Sequence, residues 1–173
     1  MVKQVDLTPE ELSEALSSPI DKKILLSILQ KFTDNGLTYK IRTKWKPEND
    51  ISPDDYRVFC YIKKSKEALI INTSAYNTNT FLLQVRILDR STFDRLDDYT
   101  ENIRNQIVNA PYNCKNCGCS DKAYIFTYKN HTYRKCHMIC GNFSLCNFAQ
   151  EDVDSIMDII NREIIFGKPK HAK

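Results

Sequence analysis

Along the first third of the chain, apolar residues recur at helical spacing and then change to strict alternation. Thr8, Pro9 and Glu11 place an N-cap hydroxyl, a ring-fixed first residue and a carboxylate where a helix start leaves amide donors unpaired, so a short helix is predicted to about Leu16. Ser18, Pro19 and Asp21 repeat the arrangement. Ile20, Ile24, Leu25, Ile28, Leu29 and Phe32 then define one buried helical face, and Asn35-Gly36 ends it because both tolerate left-handed backbone. From Leu37 the period becomes two, with Tyr39, Ile41, Thr43 and Trp45 on one side and Lys40, Arg42, Lys44 and Lys46 on the other, as in a half-exposed strand.

Three more strands are predicted, at Arg57 to Lys63, Leu69 to Ser74 and Phe81 to Leu88. A polar loop over 47–55 and turns at 64–67 and 77–80 separate them. Parallel crossovers need a dozen or more residues, so connections this short imply a four-stranded antiparallel meander. Ser91 or Thr92 then caps a helix whose stripe of Phe93, Leu96, Tyr99, Ile103 and Ile107 can cover that sheet, ending before Pro111. A final helix is predicted from Asp152 to Ile165, with Val153, Ile156, Met157, Ile160 and Ile164 on one face. The expected class is α+β: N-terminal helices, the meander and its covering helix over 1–110, then a hairpin and the last helix over 111–173, the two parts packed as one unit.

The stretch between the last two helices carries the clearest chemistry. Cys114-Lys115-Asn116-Cys117-Gly118 is a CxxCG knuckle, and eighteen residues later Cys136 and Cys140, followed by Gly141, form a longer one. Zinc takes four thiolates tetrahedrally, and a following glycine lets backbone amides approach the sulfurs. Between the knuckles Tyr124, Phe126 and Tyr128 alternate, Lys129-Asn130-His131 makes a turn, and Tyr133 leads back, as in the hairpin of a zinc ribbon. A structural zinc ion on Cys114, Cys117, Cys136 and Cys140 is therefore expected. His137, Cys119 and Cys146 are alternates for a member of that set, although Cys146, near Phe143, Leu145 and Phe148, reads better as a packed thiol. The density of thiolates also admits an iron–sulfur cluster, without the longer runs that ferredoxins use.

Composition narrows this picture. Of 173 residues, 42% are hydrophobic and 27% charged, as in folded soluble proteins. The apolar runs fall far short of a membrane span, and no signal-like segment opens the chain, so a cytoplasmic protein with no membrane partner is expected. Six of the seven cysteines fall between Cys114 and Cys146, and in that compartment such a cluster favours metal over disulfides. Cys60, between Phe59 and Tyr61, reads as a core thiol. Four glycines and no Gly-x-Ser-x-Gly turn exclude Walker, dinucleotide and hydrolase-elbow motifs. The net charge of +3 names no partner. Trp45, with Arg42 and Lys44 beside it, and Tyr128, Tyr133 and Arg134 on the hairpin are the candidates for a ligand or nucleic-acid surface, because cations interleaved with aromatics hold phosphates and stack bases.

Cys114, Cys117, Tyr133, Cys136, Phe143, Asn147 and the Glu151-Asp152-Val153 helix start give the chain a resemblance to a group of small bacterial proteins, mainly of anaerobic Gram-positive species. These carry an α+β front half followed by CxxC, a Tyr-x-x-Cys hairpin, a Phe-x-Phe-x-Asn-like strand and an acidic last helix. The resemblance covers about the last 75 residues, and Leu145 and Phe148 depart from it. It implies a metal-bearing module and no particular activity. The expected function is a zinc-stabilised binding or regulatory protein whose ligand is a small molecule or a protein. The alternative is a module for RNA or single-stranded DNA using the basic, aromatic hairpin, and a third is an enzyme with acid–base groups drawn from Glu67, Asp89 or His131.

Overall fold

In the computed structural model, which describes residues 4–43, 55–63, 66–73, 81–110, 124–135 and 143–167, the first two helices begin at their capping residues. The Thr8 hydroxyl accepts from Glu11 N–H at 3.1 Å and the Glu11 carboxylate accepts from Thr8 N–H at 2.8 Å, which starts α1 (Pro9–Ser13). Ser18 caps α2 (Pro19–Asp34) through Asp21 N–H. At the far end of α2, Gly36 adopts φ +65 while its N–H bonds Thr33 and that of Leu37 bonds Phe32, the paired closure that a left-handed residue allows.

Strands β1 (Gln4–Val5), β2 (Thr38–Thr43), β3 (Tyr56–Lys63), β4 (Lys66–Asn72) and β5 (Leu82–Val85) lie side by side in that order, each antiparallel to the next. The sixth position belongs to β8 (Phe143–Cys146), which follows the cysteine-rich region and pairs with β5. Residues from both sides of the 110/111 boundary thus share one sheet. Helix α4 (Asp152–Gly167) lies against α2 and β3. Among the described residues this is mixed helix and antiparallel sheet, an α+β chain. No helix of the described residues is long and apolar enough to cross a membrane.

Register sorts the side chains. Val5, Ile41, Val58, Ile71, Leu83 and Leu145 stand opposite one another across all six strands, and the last five are at most 3% exposed. This row lies on the face covered by α2 and α4. At the end of α4, a Cβ on Gly167 would sit 1.8 Å from Ile62 Cγ2, so helix and sheet touch there at a distance only glycine permits.

The elements differ in places from the pattern-based expectation: the sheet has six strands rather than four, α1 ends at Ser13 rather than near Leu16, and β5 ends at Val85 rather than Leu88. Lys63 pairs with Lys66, so Lys66 and Glu67 belong to β4 rather than to the turn. The predicted helix after Leu88 is two elements, a 3-10 helix (Arg90–Asp98) capped by Asp89 rather than by Ser91 or Thr92, and α3 (Glu101–Val108), with Tyr99 extended between them. Side chains from α4 hold this break. Tyr99 OH donates to Asp158 at 3.0 Å, Thr100 N–H donates to Ser155 Oγ at 3.0 Å, and the Thr100 hydroxyl donates to Asp152. Every apolar residue of the predicted stripe is nevertheless buried.

Two buried carboxylates organise this corner. Asp152 also accepts from Asn102 Nδ2 at 2.7 Å and Ala149 N–H at 2.8 Å. Burial acts to raise its pKa, but the hydrogen bonds together prevail and hold it below the ordinary aspartate range. Glu163, 1% exposed, accepts from the successive amides of Leu88 and Asp89 at 2.9 and 3.1 Å. Here burial prevails, with the Asp89 carboxylate adding to it against the two amides, and the pKa is pushed up to about 7.

These shifts act on stability with opposite signs. A depressed Asp152 stabilises the fold above its unfolded pKa near 3.8, and that stability is lost as pH falls through the folded value. A raised Glu163 favours the folded state most below about 4.5, and that advantage is lost as pH rises toward about 7. Urea unfolding at pH 5 and pH 7.5 should show the parent losing stability between the two, by on the order of 2–3 kcal/mol from this residue. The loss should be much reduced in Glu163→Gln; an equal slope in the variant assigns the dependence to other groups.

Candidate metal centre and its surroundings

The hairpin between the two cysteine knuckles consists of β6 (Tyr124–Tyr128) and β7 (His131–Lys135). Its turn is the two residues Lys129 and Asn130, with φ of 46 and 64, rather than the expected three; His131 already pairs with Tyr128. Positive φ at both central positions matches the twist of the flanking strands.

One face of the hairpin is anchored to the main sheet through rings. Phe126 stacks on Phe93 of the 3-10 helix, with centroids 4.3 Å apart and planes 5° apart. Tyr133, opposite Phe126 in register, stacks on its ring at 5.3 Å. The ring of Phe143 in β8 lies 5.8 Å from that of Phe93, tilted to it by 53°. Tyr128 OH donates to Asp97 Oδ1 at 2.6 Å, which ties the turn end to the same 3-10 helix. The opposite hairpin face presents Ile125, 57% exposed, with Thr127, Thr132 and Arg134. Tyr128 and Tyr133 are therefore half-buried on the docked face and Arg134 is on the other one, so these three do not form one ligand surface.

Strand β8 has its own lock. Gln106 of α3 accepts from Cys146 N–H at 2.8 Å and donates to Cys146 C=O at 2.9 Å, so a side-chain amide stands in for a neighbouring strand at the sheet edge. The Cys146 side chain lies opposite Leu82, on the other face of β8 from Phe143 and Leu145. It is half-buried, and burial, with the charge of Asp21, raises its thiol pKa. Cys60 is fully buried on the helix-covered face and burial raises its thiol strongly, so neither is a ready thiolate.

Cys114, Cys117, Cys136, Cys140, Cys119 and His137 lie outside the described residues, as do Trp45 and Lys44. Among the described residues no group of three or more His, Cys, Asp or Glu side chains is placed to hold a metal ion. Arg42 is on the sheet face away from the helices, its guanidinium 5.0 Å from the centre of the Phe59 ring. The acid–base candidates sit on three different elements: Glu67 in β4, Asp89 at the cap of the 3-10 helix bonding Ser91, and His131 at the hairpin turn.

Gln106 and Glu163 are not marked by any motif, and Asp152 is marked only as the start of the last helix. Glu163 did leave a signal, because Ile156, Ile160 and Glu163 fall at i, i+4 and i+7 and put a carboxylate on the apolar stripe. No protein-family model matches the chain, and no curated protein or solved structure matches it either.

Loss of the central ring should undock the hairpin. Phe126→Ala is expected to cost about 3 kcal/mol in chemical unfolding. Amide exchange should accelerate in β6 and β7 while β3 and β4 stay protected, and Tyr128→Phe should cost only about 1 kcal/mol. Unchanged hairpin protection in Phe126→Ala would show that the rings do not hold it.

Proposed function

We propose that the chain is a zinc-stabilised binding or regulatory protein of the cytoplasm, in which Cys114, Cys117, Cys136 and Cys140 hold one structural zinc ion. The observation that carries this reading is the convergence of the chain ends flanking both knuckles. Tyr124 and Lys135 are partners at the open end of the hairpin, and Cys136 follows Lys135 directly. Six residues separate Cys117 from Tyr124, enough to bring the first knuckle back over a reach of up to about 20 Å. Phe143, three residues after Cys140, meets the same Phe93 ring that anchors the hairpin. Cys60 and Cys146, with raised thiol pKa values, are weaker ligand candidates than a CxxCG knuckle. The staple role follows from the donor set, since four thiolates leave no open position for a substrate.

Elemental analysis of protein purified without chelator should find about one equivalent of zinc, as expected for a single four-thiolate site. Less than about half an equivalent, with all thiols reacting freely, would remove the quartet. Cys117→Ser should release the hairpin, read as rapid amide exchange in β6 and β7, because metal binding and folding share one free energy in such modules. Retained protection in that variant with zinc bound would move the ligand role to Cys119, His137 or Cys146.

A further inference from the structure

The sheet face turned away from the helices is not used by the metal reading. Register fixes two rows on it. One runs Gln4, Arg42, Arg57, Asn72, Leu82 and Cys146, the other Lys40, Phe59, Ile70, Gln84 and Ser144. Arg42 and Arg57 stand directly opposite each other, Lys40 stands opposite Phe59, and Arg42 reaches diagonally over the Phe59 ring at 5.0 Å. Like charges directly opposed in a sheet repel and destabilise the pair. None of the ion pairs between described side chains relieves this one. Arg57 spends one donor on Asn72 Oδ1, at 2.8 Å, and a guanidinium has four more.

We propose that this face binds single-stranded nucleic acid, with Lys40, Arg42 and Arg57 holding phosphates and Phe59 offering its ring to a base. The proposal rests on the reading of the chain as a binding protein, not on the metal. A phosphate set between the two opposed arginines would offset the repulsion expected of like charges at one register pair. The planar Arg42 guanidinium and the Phe59 ring are the two kinds of surface on which unpaired bases stack. Gln84, half-buried in the second row, adds an amide beside these groups, while buried Asn72 donates Nδ2 to Gln84 Oε1 at 3.4 Å and accepts from Arg57. No carboxylate stands in the paired positions of the two rows among the described side chains; Asp6, next after β1, and Asp55, two residues before Arg57, flank them, and the register places Glu67 opposite Tyr61. An acidic peptide would use the cations and leave the ring unused. A duplex would hide the base faces.

Fluorescence anisotropy of the full chain with labelled oligouridylate and oligothymidylate of about ten nucleotides tests this. Binding should weaken as salt rises. Phe59→Leu, which keeps the apolar bulk, should weaken it about fivefold or more, the equivalent of losing one stacked base. Arg42→Ala should weaken it and reduce the slope against log salt by about 0.7, one phosphate contact on a single strand. Lys40→Ala, at an exposed position outside the core, gives a folded variant with the same expected loss of slope. Arg134→Ala, on the outward face of the hairpin, should bind as the parent does. No salt-sensitive binding to either oligonucleotide overturns the proposal. So does loss of binding in Arg134→Ala with the sheet variants intact, which would put the interface on the hairpin. Oligoglutamate bound as tightly as the oligonucleotides, with Phe59→Leu silent, overturns it in favour of a charge-only surface. Nucleic-acid binding by protein that proves to hold no zinc would sustain the proposal and remove the metal reading alone.

Discussion

The row of Val5, Ile41, Val58, Ile71, Leu83 and Leu145 across six strands is the constraint from which most of this molecule follows. Strand side chains alternate, so a slip of one residue in any pairing would exchange its buried face for its outer one. Burying the row under α2 and α4 fixes the partner of each outward residue as well. Arg42 is opposite Arg57 because Ile41 is opposite Val58. Leu145 occupies the last place in the row, so the segment after the second cysteine knuckle enters the sheet for the same reason.

A second apolar contact carries that order outward. Phe93 contacts both Phe143 of the sheet and Phe126 of the hairpin, so the core continues from the sheet into the hairpin between the cysteine knuckles. A two-stranded hairpin is marginal alone in water. Here its aromatic face is docked, and the proposed zinc ion would hold its open end. Docking and metal would thus secure opposite ends of one hairpin, which is how a small appended element reaches stability without a core of its own.

Polar groups shape the corner between these parts. Asp152 and Glu163 are carboxylates inside a helix interface, yet their pKa values are shifted in opposite directions. Asp152 receives three hydrogen bonds from side chains and backbone, and Glu163 receives two amides with the Asp89 carboxylate nearby. Asp152, with Ser155 and Asp158, holds the break between the 3-10 helix and α3, because Tyr99 and Thr100 find partners on α4 in place of a continuous helical ladder, while Glu163 fixes the chain just before the 3-10 helix through the Leu88 and Asp89 amides.

Local chemistry was enough to determine the starts of α1 and α2, the closure at Gly36, the alternation of β2 to β5 and the buried stripe of α4, since capping, left-handed backbone and periodicity involve residues close together in the chain. The CxxCG and CxxxC spacing is legible for the same reason, and so is the Phe126 and Tyr133 hairpin between them. Contacts between distant residues decided the rest. The pairing of β8 with β5, the insertion of Gln106 at the sheet edge and the inward turn of Tyr128 and Tyr133 each join residues whose proximity no local pattern encodes. An aromatic in an alternating hairpin can face water or a neighbouring ring equally well on sequence, and only the position of Phe93 in space decides between them.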